Sequence, residues 1–243
     1  MKMITFSSRT AKEILRDPLN LAFGIGFPVV LLLLFSAIQA NIPVPLFEIE
    51  NITPGIVIFG LSFMTLFSAT LIAKDRQSSL LQRLYTTPLT AADFVFGYTL
   101  PIFPIGIAQT IVCFAIAAML GLEITVNCLL AVLAAIPAAF LFVSLGLLCG
   151  SVFTDKQVGG ICGALLTNLT AWLSGAWFDL ELVGGTFKKI AYALPFAHAV
   201  EAERLILSGT RDGVVTHLLW VLGYALVTTA AAVFAFTRSM KKQ

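Results

Sequence analysis

Val29 to Phe35 reads VVLLLLF, an apolar run with no polar residue inside it. A strand of a membrane barrel alternates lipid-facing and lumen-facing residues, so it would show a period of two that this run lacks. The run therefore belongs to a helix. It lies within an apolar stretch from about 19 to 40, and about 20 such residues carry a helix across roughly 30 Å of hydrocarbon. Further stretches of that length fall near 54 to 73, 99 to 120, 127 to 150, 158 to 178 and 214 to 237. With 58% hydrophobic residues, 12% charged and a mean hydropathy of +0.95, the 243 residues lie outside the range of soluble globular chains. The predicted fold is an all-α membrane protein, a single transmembrane domain over residues 1–243 with six transmembrane helices.

Basic residues near the span ends set the expected orientation. With a cytoplasmic N-terminus, Lys2, Arg9, Lys12, Arg16, Lys74, Arg76, Arg83, Lys156, Arg238, Lys241 and Lys242 are inside, against Lys188, Lys189, Arg204 and Arg211 outside. Both termini are then cytoplasmic. The first span is longer than the apolar core of a signal peptide, and Ile38 and Ala40 are a poor cleavage pair, so it reads as an anchor. Topology accounts for the basic residues, and a net charge of +2 gives no nucleic-acid signal.

Residues 1–18 read as an interfacial helix. Arg9, Lys12 and Arg16 follow three- and four-residue steps that turn them toward lipid phosphates, while Ala11, Ile14 and Leu15 form an apolar side, and Asp17-Pro18 ends the helix. The most punctuated segment is Lys74 to Leu89, KDRQSSLLQRLYTTPL, within a cytoplasmic loop expected over 74–98. Ser79 and Gln82 have the spacing of a capping box, so a helix starts at Leu80, and Pro88 stops it about two turns later. Leu80, Leu81, Leu84 and Tyr85 then share one apolar face on a helix too short to span a bilayer. Such a face requires a partner. Thr90 and Asp93 repeat the capping spacing and start the next helix near Ala91, where Pro101 and Pro104 mark either a kink or a broken entry helix.

Gly146 with Gly150, and Gly159 with Gly163, have the spacing that lets membrane helices approach closely. Residues 179–213 contain two short apolar helices, Phe187 to Leu194 and Phe196 to Leu207, split by Pro195 and punctuated by Glu201, Glu203 and Arg204. They form either a re-entrant outer hairpin or a solvated loop with one surface helix.

Chemistry is sparse. The chain has two His, and Cys113, Cys128, Cys149 and Cys162 show no C-x-x-C spacing, so they read as packing residues rather than metal ligands. No metalloprotease or nucleophile-elbow motif occurs, and helical geometry spreads His198, Glu201 and Glu203 over different faces, so no catalytic residue is assigned. The spans hold no Asp, Glu, Lys or Arg between their ends, where ion-driven carriers keep their coupling groups. A phosphate-binding loop is also missing from the sequence. Energy should therefore enter through a cytoplasmic contact, for which Lys74 to Leu89 is the candidate.

In order along the chain, TAKEILRDPLNL (10–21), AKDRQSSLLQRLYTTPLT (73–90), the fifth span leading to SGAWFDL (174–180), and LPFAHAVEAERLILSG (194–209) resemble the membrane subunit of type-2 ABC exporters. Asp75, Leu84 and Pro88 fit the second motif, with Ser79 where Gly is usual, and Asp179 stands where Pro is common. The resemblance implies a coupling helix seated in a separate ATP-binding subunit, which would hold the ATP and Mg that this chain does not bind. Ser79, Leu80, Leu81, Arg83, Leu84, Tyr85 and Pro88 would form the docking segment. It also implies a second permease chain, a homodimer, in a bacterial plasma membrane, and export of a lipid-like, drug or peptide substrate. By that analogy Phe63, Phe67 and Thr70, with Thr65, on span two, and Asn168 and Trp172, with Thr167, on span five, line the route. A function of a different class, a non-transporting scaffold or sensor that recruits a cytoplasmic regulator, would use the same short helix.

Overall fold

The computed structural model describes residues 2–78 and 90–240, and every regular element among them is a helix. α1 (Lys2–Leu15) turns at Asp17 into α2 (Pro18–Leu21), which passes through a π-helical segment (Ala22–Gly26) into α3 (Phe27–Gln39). There follow α4 (Ile49–Gln77), α5 (Ala91–Met119) and α6 (Val126–Val152). α7 (Asp155–Val158), a second π-helical segment (Gly159–Leu166) and α8 (Thr167–Leu173) make one continuous run. α9 (Leu180–Val183), α10 (Gly185–Ala193) and α11 (Pro195–Leu207) precede the last helix, α12 (Val214–Met240).

Among the described residues five helices are long and apolar enough to cross a membrane: Ala22–Gln39, Ile49–Gln77, Val95–Met119, Val126–Val152 and Val214–Arg238. The sixth stretch expected near 158 to 178 is the run from α7 to α8. It stops at Leu173, short of the expected end, because the chain turns through Ser174 to Trp177 to reach the short helices. The expected cytoplasmic loop 74–98 takes in the end of α4, which continues to Gln77, and the start of α5, which begins at Ala91 as the sequence predicts. Pro101 and Pro104 do not break α5, which runs unbroken across both.

α4 is the centre of the bundle. Of its most apolar stretch 78% is buried within the chain, against 17% for α12, and it touches α3, α5, α6, α11 and the second π segment. Close approach to α6 depends on Gly146, where an added Cβ would lie 1.7 Å from Ser68 Oγ and 2.6 Å from the Thr65 carbonyl. Thr65 Oγ1 donates to the Phe142 carbonyl of α6 at 2.9 Å, a cross-helix bond of the type that small residues permit in apolar surroundings. Of the other glycine spacing, Gly159 faces open space, whereas a Cβ at Gly163 would lie 3.3 Å from the Leu66 side chain.

One end of the bundle, here the basic end, gathers α1, the end of α4, the starts of α5 and α7, and the end of α6. The opposite, hairpin end gathers α9, α10 and α11 beside the start of α12. Pro195 stands at the first turn of α11, where its missing N–H costs nothing, so the boundary read from the sequence is the observed one.

Candidate functional site

The docking residues Ser79, Leu80, Leu81, Arg83, Leu84, Tyr85 and Pro88 lie outside the described residues. The frame on either side of them is described. On the entering side, Asp75 is 3% exposed at the end of α4 and accepts three hydrogen bonds. Arg9 of α1 donates from both terminal nitrogens, at 2.9 Å and 2.8 Å, and the Tyr98 hydroxyl of α5 donates at 2.8 Å. A bidentate guanidinium is the geometry that best compensates a carboxylate removed from water. The hydrogen bonds to Asp75 are the main reason that the Arg9 pKa lies above its ordinary value.

This contact gives α1 a second face beside the expected lipid-facing one. The side enclosed within the chain is Phe6, Thr10 and Ile14, four residues apart, while Leu15 of the expected apolar side is 68% exposed. Phe6 meets the Tyr98 ring edge-on with centroids 5.0 Å apart, over Gly97, where a Cβ would lie 2.1 Å from the Phe6 ring. Arg9 consequently turns toward Asp75 and Glu13, leaving Lys12 and Arg16 as the exposed cations of the expected basic side.

Arg76 reaches in another direction, donating to the carbonyls of Gly150 at 2.8 Å and Phe153 at 3.2 Å and so capping the end of α6. On the leaving side, Thr90 and Asp93 form the predicted capping box: Thr90 N–H donates to Asp93 Oδ2 at 3.0 Å, and Asp93 N–H donates to Thr90 Oγ1 at 3.2 Å. Thr154 and Gln157 make a second box at the start of α7 that the sequence reading did not single out. Segment 79–89 thus begins and ends on anchored helices, one tied through Asp75 to both α1 and α5.

The residues expected to line a route are divided. Phe63 belongs to an aromatic group with Phe27 and Phe59, and Phe67 is 4% exposed. Thr65 and Thr167 are both spent on backbone carbonyls, and Thr70 shares a small recess with Phe67, Glu13 and Lys74. Asn168 and Trp172 are one turn apart on an outward face, Asn168 bonded to the carbonyl of Ala164 and Trp172 61% exposed. Within one chain these two groups do not meet at an enclosed site.

At the hairpin end Glu203 lies on a different face of α11 from Glu201 and Arg204. Arg204 donates to the Gly175 carbonyl at 2.8 Å and to the Asn51 carbonyl at 3.2 Å, tying α11 to the turn after α8 and to the start of α4; Glu201 sits beside it at 3.5 Å. Glu203 turns inward and is fully buried.

The two histidines, 19 residues apart, come together here, which no local spacing announces. His198 Nε2 lies 3.0 Å from the Tyr192 carbonyl and must donate to it. In the neutral pair His198 Nδ1 is then the acceptor for His217 Nδ1–H at 2.7 Å. Trp220 stacks on the His198 ring at 5.0 Å. Burial lowers the His198 pKa, against a smaller upward pull from the bond to Tyr192. Among the described residues no group of three or more His, Cys, Asp or Glu could hold a metal ion.

No curated protein matches the chain. A family model described as ABC-2 type transporter matches residues 1–207, from α1 to the last residue of α11. An integral membrane protein of long apolar helices, with that match over most of its length, belongs to the ABC-2 type transporter family and is the membrane permease component of an ABC transporter, not itself an enzyme.

Proposed function

We propose that this permease exports an amphipathic or lipid-like cargo, driven by ATP that a separate ATP-binding subunit hydrolyses with Mg while seated on segment 79–89. The observation that carries this reading is the connection of that segment to the most enclosed of the five long apolar helices. A force applied after Gln77 enters α4 and, through Asp75, acts at once on α1 and α5. α4 in turn contacts α6 and the hairpin helix α11 at the far end. A surface helix hung on a peripheral span would have no such reach.

The cargo class follows from what the spans offer: apolar and hydroxyl side chains, with the intramembrane stretches free of fixed charge. A second copy of the chain is the natural cover for the outward stripe Leu165, Asn168, Leu169 and Trp172, which follows three- and four-residue steps on one face. In that arrangement the route would run between chains, bringing Asn168 and Trp172 toward the cargo. Cytoplasmic placement of the basic end, and a bacterial plasma membrane as its location, complete the proposal.

The test is co-purification with a phosphate-loop ATPase, sought first in the adjacent coding sequence. Leu81→Asp with Leu84→Asp leaves membrane insertion intact and lowers ATPase recovery about tenfold or more, the equivalent of at least about 1.4 kcal/mol. Undiminished recovery would remove the docking assignment and favour a scaffold that recruits its partner elsewhere.

A further inference from the structure

Glu203 is 0% exposed, and neither carboxylate oxygen has a hydrogen-bond partner among the described residues. It lies two turns after Phe196, whose ring stacks on Phe142 of α6 with centroids 5.8 Å apart, so Glu203 continues the face that α11 presses into the bundle. An ionised carboxylate enclosed without a donor or a cation costs several kcal/mol, far more than an enclosed carboxylic acid.

The charged and titratable groups on the elements around it are accounted for. On α11, Arg204 is bonded to the Gly175 and Asn51 carbonyls and Glu201 lies beside Arg204. On α10, Lys188 pairs with Glu181 and lies over the Tyr192 ring, and Lys189 is exposed. On α12, His217 faces His198, the Tyr224 hydroxyl donates to the Ala193 carbonyl, and Arg238 is at the far end. On α4, Glu50 is exposed at the first turn, while Lys74, Asp75 and Arg76 sit at the opposite end. α6 brings only Cys128 and Cys149, and α8 brings nothing ionisable. From α5, the thiol of Cys113 is within electrostatic reach; Asp93 and Tyr98 belong to the basic end. Gln109, bonded to Cys113, adds a further orphan acceptor, its side-chain oxygen, and not a cation.

We propose that Glu203 is a proton-binding site that latches the hairpin to the spans: the carboxyl holds a proton while α11 is seated, and unseating α11 releases it. In that step the O–H bond breaks, the electron pair stays on the carboxylate oxygen and the proton passes to water entering the seam. A proton is the ligand that needs no space, which suits a fully enclosed group. Burial alone places the Glu203 pKa well above the ordinary carboxylate range. With the folded value raised, the seated state holds one proton more than the opened state above the ordinary glutamate range, so seating weakens as pH rises until the raised value is passed. The latch does not depend on which cargo the permease moves.

Hydrogen exchange of α11 in the purified full-length protein tests it. Relative to Glu203→Gln, which cannot ionise, the opening constant of α11 in the wild type rises about tenfold per pH unit. A wild-type to variant ratio that does not change with pH overturns the proposal. Because the variant could fail to fold, the infrared spectrum of wild-type protein carrying isotope-labelled glutamate supplies a second readout: a protonated glutamic-acid carbonyl band at neutral pH supports the latch, and its absence overturns it.

Discussion

Asp75 and Glu203 are two carboxyls withdrawn from water at opposite ends of one bundle, and the chain treats them in opposite ways. Asp75 gathers a bidentate guanidinium and a phenol from two other helices, so its carboxylate is met by donors and holds three elements together. Glu203 gathers no donor among the described residues, so its charge is best removed. Burial alone does not predict what an acid does to a fold; the donors that reach it do. A charge kept in place makes a permanent joint, whereas a charge suppressed by enclosure makes a joint that the surrounding water can undo.

That contrast can be broken at several points. The largest loss is expected from Arg9→Ala, which strands an enclosed Asp75 and should cost about 2–3 kcal/mol, less than a fully enclosed pair because Arg9 itself is 40% exposed. Denaturant titration in detergent measures it, and pairing the change with Asp75→Asn should recover most of the loss. Tyr98→Phe removes one of the three donors and should cost about 1 kcal/mol. Glu203→Leu should lie within about 1 kcal/mol of wild type or be more stable, since it deletes an unpartnered polar group. A loss there as large as that of Arg9→Ala would erase the difference between the two acids. The smallest effect concerns the histidine pair. His198 has a lowered folded-state pKa, so its contribution is fully present above the unfolded imidazole pKa and is lost as pH falls through the folded value. Acidification should therefore loosen α11 from α12 by about 1 kcal/mol or less, and His217→Phe should reduce that acid limb without abolishing it, since the burial of His198 remains. Its sign is opposite to that of Glu203, so over the pH range where both groups titrate the two effects oppose each other.

Much of this architecture is legible in composition, because an apolar run of span length has few alternatives. Local chemistry was legible too: Thr90 and Asp93 cap α5, and Pro195 opens α11, since both effects act within one turn. The joints between elements were not. Arg9 and Asp75 are separated by 66 positions, and nothing in the spacing of α1 says that its cation will turn away from lipid. His198 and His217 sit on separate helices with no pattern linking them. Glu203 stands beside Glu201 and Arg204 in what reads as solvated punctuation, and only the packing of Phe196 on Phe142 reveals that its side of the helix faces inward. The statement that the spans carry no internal charge remains correct, yet an acid reaches the interior from a helix that is not a span.

The π-helical segment Gly159–Leu166 has a bearing on the outward stripe. A π turn accommodates one residue more than an α turn, and Thr167 Oγ1 accordingly donates five residues back, to the Cys162 carbonyl at 2.9 Å. That surplus residue sets the azimuth of everything after it, because one residue is worth about 100° of rotation in an α-helix. Deleting Gly160 would spend the surplus, and cysteine cross-linking between copies at position 168 would report whether the stripe had swung away. The segment is thus a stored rotation, a phase offset written into the helix that decides which compass direction Asn168 and Trp172 face.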